Sequence, residues 1–456
     1  MSYARLYRST LAIAIATTTL SSGTQAAGFY LQETSATGLG RAFAAENTVG
    51  DNAAILARNP AGSALFDRPE LSLGLIYVDP EIDAEGDVSL IVPGNAPITL
   101  HDEADDYATS AWIPNAYFAL PIDDRWSAGL SMYSNFGLET DFEDDFLTTH
   151  MANRTRLLSV NLAPSVALRI NDSFTVGAAL KVLYAKGNIE STIPEDLALA
   201  PALSGLTVLD LEGDAWELGW SIGALWQPGP DTRVGLSYHS EMDPELEGDV
   251  DSDLLPDVVN GGILAGESGE LTANLPDTVE LGVYHRLSSQ WGLTLGAMWT
   301  DWSDFQALEA YIPGQKLGTA DEPYNPLLLK EENFASGWRY SVGGEYYWSE
   351  ELTLRAGYAY DEGAARDGSN PEASEEAGRD VTWRTLSIPD TDRQWLTAGA
   401  SYQFQDNLSV DASLAYIWGD NETIREYVEV PVPTYFDGGT TKTKAWLAGV
   451  SVNYRF

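Results

Sequence analysis

From about residue 70 to its end, the chain places apolar residues at every second position. In "KTKAWLAGVSVNYRF", Trp446, Ala448, Val450, Val452, Tyr454 and Phe456 fall on one face, against Leu447, Gly449, Ser451, Asn453 and Arg455. Leu352, Leu354, Ala356, Tyr358 and Tyr360 repeat the pattern, as do Phe174, Val176, Ala178, Leu180 and Val182. Successive side chains of a strand point to opposite faces, so this period identifies strands with one apolar face. A sandwich buries that face, whereas an outer-membrane barrel turns it to lipid. The strands run about ten residues or more, enough to cross a bilayer at a tilt. Trp126, Trp291, Trp299, Trp348, Trp418 and Trp446 stand near strand ends, where an interfacial girdle belongs. Connections alternate between short ("PIDDRW", "INDSF", "SSQW", "SEEL", "QDNL") and long and acidic. All three features favour the barrel.

Fourteen strands are expected, starting near Glu70, Ser110, Trp126, Leu157, Ser173, Ala215, Asp231, Glu270, Trp291, Gly337, Leu352, Asp392, Leu408 and Lys442. An even number lets an antiparallel sheet close. The terminal aromatic, Phe456, is the usual address read by barrel-assembly machinery, which makes that machinery an expected partner.

There is no run of 18 apolar residues, so no helix of this chain crosses a membrane. The apolar "LAIAIATTTL", preceded by Arg5 and Arg8 and followed by small residues, reads as an export signal over residues 1–26. Exported large domains do without disulfides, consistent with the lack of cysteine. With 68 acids against 25 bases, the net charge of −43 leaves nucleic acid without the cations that phosphate contacts require. Such an excess suits a salty habitat, where screening relieves self-repulsion.

Residues 27–69 do not alternate. They are rich in Gly, Ala and Asn, contain short helical stretches, and precede the barrel of residues 70–456. A barrel of about fourteen strands has a lumen to fill, and a compact segment attached to the first strand is placed to fill it. Within the third strand, "SNFGL" puts Asn135 and Gly137 where regular strand formers belong, which marks a bulge or a close backbone approach.

"AGFYLQETSATGLGRAFAAE" and "DNAAILARNPAGSALFDRP" closely resemble the N-terminal hatch of FadL-type outer-membrane transporters, the channels for long-chain fatty acids and aromatic hydrocarbons. The likeness continues through "WIPNAYFALPIDDRW", "SNFGLETDF", "IPDTDRQWLTAG" and "KAWLAGVSVNYRF". It implies an all-β, fourteen-stranded antiparallel transmembrane barrel with a small hatch in the lumen, in the outer membrane of a Gram-negative bacterium. It also implies that Asn59, Pro60 and Ala61 lie against a kink in the third strand at Ser134, Asn135, Phe136 and Gly137, where the wall opens towards lipid. Kinked backbone near lipid needs hydrogen-bond partners, and Asn59 is the expected donor from the hatch. By the same resemblance Lys330 is the candidate for a carboxylate head group, while a second basic position of the family is occupied here by Ser191. That departure leaves room for uncharged alkanes or monoaromatic hydrocarbons as cargo.

Two stretches, residues 194–211 and 254–266, are apolar for outer loops and suit capture of a hydrophobic molecule. Burial favours such cargo by roughly 0.8 kcal/mol per CH₂, so exit into outer-membrane lipid avoids an uphill step into water. Of the four histidines, His101, His150, His239 and His285, none sits in a nucleophile motif. There is no His/Cys metal cluster, GxSxG or P-loop, and no cofactor is expected. The hatch and apolar loops argue against a general porin, and a TonB-dependent receptor needs a larger plug and more strands.

Overall fold

Trp446, Val450, Val452 and Phe456 are each at least 45% exposed, while Leu447, Ser451 and Asn453 between them are buried. An alternation with its large apolar residues on the outside is the signature of a sheet whose outer solvent is lipid. The computed structural model describes residues 28–91, 94, 96–195, 203–254, 267–312, 328–429 and 433–456. The export signal expected at residues 1–26 lies outside them.

Among the described residues, 21 ladder segments combine into fourteen antiparallel strands, seven of them in two pieces. The first strand, Glu70–Leu90, pairs with the last, Thr434–Arg455, along its whole length and closes the barrel. The second strand comprises Ile98–Ala104 and Ala111–Pro121, and the third Trp126–Tyr133 and Gly137–Asp141. The fourth to sixth are Arg154–Asn171, Phe174–Thr192 and Thr207–Gly229. The short turns, at residues 122–125, 172–173, 230–231, 287–290, 348–351 and 406–407, share the end that carries Glu70 and Phe456.

Several strands begin earlier than alternation predicts. The sixth starts at Thr207 instead of Ala215, the fourteenth at Thr434 instead of Lys442, and the tenth adds Leu328–Glu331. These extensions rise above the apolar band. On the first strand the outward positions change from Leu71, Leu73 and Leu75 to Asp79, Glu81 and Asp83 while the ladder continues. There the apolar face changes sides: Val78, Ile82, Ala84 and Val88 point inward and are buried while acids face outward, so the outward apolar stripe that marks the start of a lipid-facing strand is missing. The stretch 194–211, expected to be loop, accordingly contains the start of the sixth strand at 207–211; residues 196–202 and 255–266 lie outside the described ones.

Residues 28–69 fill the bore with short helices at Ala36–Leu39, Glu46–Val49, Ala53–Ala57 and Pro60–Leu65. Asn59 caps the last, its side chain accepting from the Ala61 N–H at 3.0 Å, with Pro60 at the first helical position. Glycines of the wall let the hatch approach closely. A Cβ at Gly223 would lie 1.9 Å from Asn59 Oδ1, and one at Gly177 2.4 Å from the Ala61 nitrogen. Buried charges fasten the contact. Arg41 reaches Glu46 at 2.6 Å, Glu345 of the wall at 3.0 Å, and Asp51, while Arg355 of the wall bonds Glu345 at 3.0 Å. Asp411 of the wall accepts from Thr37 at 2.9 Å, alongside Ser451 and Asn453. Removing one partner of such a buried pair typically costs about 3–5 kcal/mol, because the other charge is stranded.

Candidate functional site

The wall is interrupted between the second and third strands. Their ladder ends at Ala116 with Met132, and pairing resumes as a single bridge between Ala108 and Thr140. Across the gap, Pro114 has no N–H to offer a ladder, as suits an edge. The third strand stops at Tyr133 and restarts at Gly137, shifting its register on the fourth strand: Tyr133 opposes Asn161, but Gly137 opposes Leu158.

The freed backbone groups are satisfied by the first described residues of the hatch. Leu31 N donates to Asn135 O at 2.8 Å, Gly137 N donates to Phe29 O at 3.0 Å, and Tyr30 bridges Phe136. Ser159 of the fourth strand completes the set, accepting from Phe136 N at 3.1 Å and donating to Phe136 O at 2.7 Å. The Asn161 amide donates to Asn135 Oδ1. Residues 29–31 thus stand where a neighbouring strand is missing, and they close the gap.

Asn59 is not the partner of the kink. Its amide donates to Asn47 O at 2.9 Å and to Ala224 O of the sixth strand at 3.2 Å. Pro60 and Ala61 rest against the fifth and sixth strands at Gly177 and Gly223. The helix they start does reach the lower half of the third strand, where Ser63 and Ser127 share a hydrogen bond of 2.8 Å. The residues quoted for the motif therefore anchor the hatch, while its leading end seals the wall.

Above the seal, Phe29 packs edge-on against Trp302 at 4.5 Å and Phe305 at 5.1 Å. Leu138, Leu157, Leu246, Leu271, Leu308 and Ile388 join Phe29 and Phe305 around an apolar cavity of about 30 Å³. That is room for a water or two and not for an alkyl chain. Admitting one requires the lining, with Phe29, to move. A larger recess of about 420 Å³ opens at the short-turn end between Phe66, Trp126 and Arg169, but its lining is mostly polar and does not suit an alkyl chain.

Lys330 pairs across the ladder with Leu308 of the cavity wall. Its ammonium donates to Ser387 and lies 3.5 Å from Glu426, with the side chain 9% exposed. Ser191 is buried. Below the seal is a group that sequence reasoning passed over: Arg58, 2% exposed, whose guanidinium donates to Gln32 O at 2.9 Å and Gln32 Oε1 at 2.6 Å. The signal was available, since a base adjoining the Asn59-Pro60-Ala61 stretch is notable in a chain with so few. Among the described residues no cluster of His, Cys, Asp and Glu forms a metal centre.

The family profile described as "Outer membrane protein transport protein (OMPP1/FadL/TodX)" matches residues 17–456. The long-chain fatty acid transport protein of Salmonella typhi is 34% identical over 467 residues, covering 98% of each chain. Outer membrane protein P1 of Haemophilus influenzae is 31% identical, covering 95% of this chain and 96% of its own. Among solved structures, a Pseudomonas aeruginosa FadL homologue superposes with a TM-score of 0.79 at 24% identity, covering 94% of this chain and 100% of that one. The Pseudomonas putida toluene transporter TodX superposes with a TM-score of 0.55 at 16% identity, covering 89% and 94%. At those identities the two superpositions speak for the fold alone.

Proposed function

The chain belongs to the outer-membrane transport protein family of OMPP1, FadL and TodX, and from that premise we propose that it is a passive transporter of hydrophobic compounds, with long-chain fatty acids as principal cargo. After removal of residues 1–26, residues 27–69 act as the hatch and 70–456 as the barrel, inserted by assembly machinery that reads Phe456. Cargo is captured at the outer loops, enters the apolar cavity beside Phe29, and leaves through the wall between the second and third strands into outer-membrane lipid. Lys330 meets the carboxylate near the cavity, and the Asn59-Pro60-Ala61 turn holds the hatch against which the leading residues move. No step calls for catalysis or a cofactor.

One observation supports this reading: the interrupted ladder at residues 134–136 is closed by residues 29–31 of the hatch, not by a barrel strand. A porin has no use for a lateral door. Uncharged alkanes or monoaromatic hydrocarbons are the second reading, favoured by Ser191 at a position where the family can carry a base. Uptake of labelled oleate by cells expressing the protein should fall when Asn59 and Pro60 are both replaced by Ala, and again with Gly137→Arg, which fills the door. Wild-type uptake in both variants refutes lateral exit, and ready passage of small sugars identifies a porin. Comparing oleate, hexadecane and toluene in binding assays separates the two cargo readings.

A further inference from the structure

Arg58 is a buried cation whose closest acceptors are neutral. The Gln32 carbonyl and side-chain oxygens take its two bonds of 3 Å or less, at 2.9 and 2.6 Å. Thr34 Oγ1 and the Tyr30 hydroxyl lie at 3.4 Å and the Met298 sulfur at 3.5 Å. The nearest carboxylate, Glu280, is 3.7 Å away, beyond hydrogen-bond range. The guanidinium also lies over the rings of Tyr30 and Phe43, at 5.8 and 5.7 Å. Arg58 itself is fixed in the hatch, its carbonyl bonded to His239 of the wall at 3.0 Å.

Every hatch group that Arg58 holds through its side-chain bonds belongs to residues 30–34, the segment continuous with the seal at residues 29–31. The Gln32 carbonyl also accepts from Thr34 N at 2.7 Å, but its side chain is weakly committed elsewhere: among the described residues its amide nitrogen has only the Met298 sulfur, at 3.9 Å. A carboxylate binds guanidinium through paired, charge-assisted bonds roughly twice as strong as those to a neutral amide. We propose that Arg58 is a carboxylate-binding site at which the cargo's head group competes with Gln32, so that an arriving fatty acid frees the segment sealing the wall. This rests on the lateral-exit reading and names its trigger. A neutral hydrocarbon has no group to contest Gln32 and has to wait for the seal to open unaided.

The test compares uptake of radiolabelled oleate and methyl oleate by a Gram-negative host deleted for its own long-chain transporter. Arg58→Gln should lower the acid-to-ester uptake ratio about tenfold, the worth of one charge-assisted contact. Gln32→Ala, which keeps the cation and removes its competitor, should raise ester uptake. Gln32→Glu supplies a tethered carboxylate that oleate cannot displace and should cut oleate uptake about tenfold. Heat-dependent gel mobility reports assembly of each variant, and Gln32→Glu decides the matter if Arg58→Gln fails to assemble. Wild-type uptake with an unchanged ratio in Arg58→Gln and undiminished oleate uptake in Gln32→Glu overturns the Arg58 proposal alone. Absence of uptake of either compound by the wild type overturns the transport reading beneath it.

Discussion

Glu33 lies in the bore, 1% exposed, and among the described residues its Oε2 has no hydrogen-bond partner. Burial pushes its carboxyl up to about 7, against its own backbone N–H and the attraction of Arg339, Arg58 and Arg393. The native chain therefore keeps a proton there that an exposed carboxyl, near 4.5, has lost. This group's contribution to stability is complete below about pH 4.5 and disappears as pH rises through 7. Between pH 5 and pH 8, wild type should lose stability relative to Glu33→Gln, by a difference of order 3 kcal/mol. Denaturant midpoints at the two pH values measure it, and parallel profiles would show that Glu33 does not titrate in this window. Nothing in the local sequence "LQETS" announces this, because the burial comes from residues far away in the chain.

At the scale of elements, the third strand and the hatch were read from sequence with different success. "SNFGL" marked the break, since Asn and Gly weaken a strand wherever they occur. The partner of the break is not Asn59, whose amide bonds Asn47 and Ala224, because a cap residue's local role says nothing about which wall it faces. The glycines were likewise legible only as weak points of strands. In the closed barrel, Gly177 and Gly223 pair across one ladder and give the hatch its clearance. Gly223→Ala should lower stability by about 1–3 kcal/mol, the usual cost of overpacking. Alanine at Gly229, which has nothing within 4 Å, should be nearly neutral. Urea midpoints in detergent compare the two, and equal losses would mean that the close approach is relaxed at little cost.

At the scale of the whole molecule, the charge of −43 is unevenly disposed. In the bore Arg41 pairs with Glu345 at 3.0 Å and Arg339 with Asp361 at 2.9 Å, both at hydrogen-bond distance. Other acids lie on the surface, with side chains such as those of Asp67 and Asp367 more than 90% exposed. Salt shortens the screening length from ~8 Å at physiological strength to ~3 Å at 1 M, and acts on exposed charges far more than on buried pairs. Raising NaCl from dilute buffer to about 1 M should therefore raise the unfolding temperature in detergent. A fall would mean that the internal pairs dominate.

The amino-acid sequence by itself determined that this chain crosses a membrane as a barrel, and about how many times. Lipid imposes an apolar residue at every second position wherever a strand meets it, and that mark survives without knowledge of any partner. Only the tertiary structure decided what closes the door. Closure of the ring brings residues 29–31 to residues 135–137 and folding of the hatch inside it brings Gln32 to Arg58, and neither meeting is encoded by a single segment.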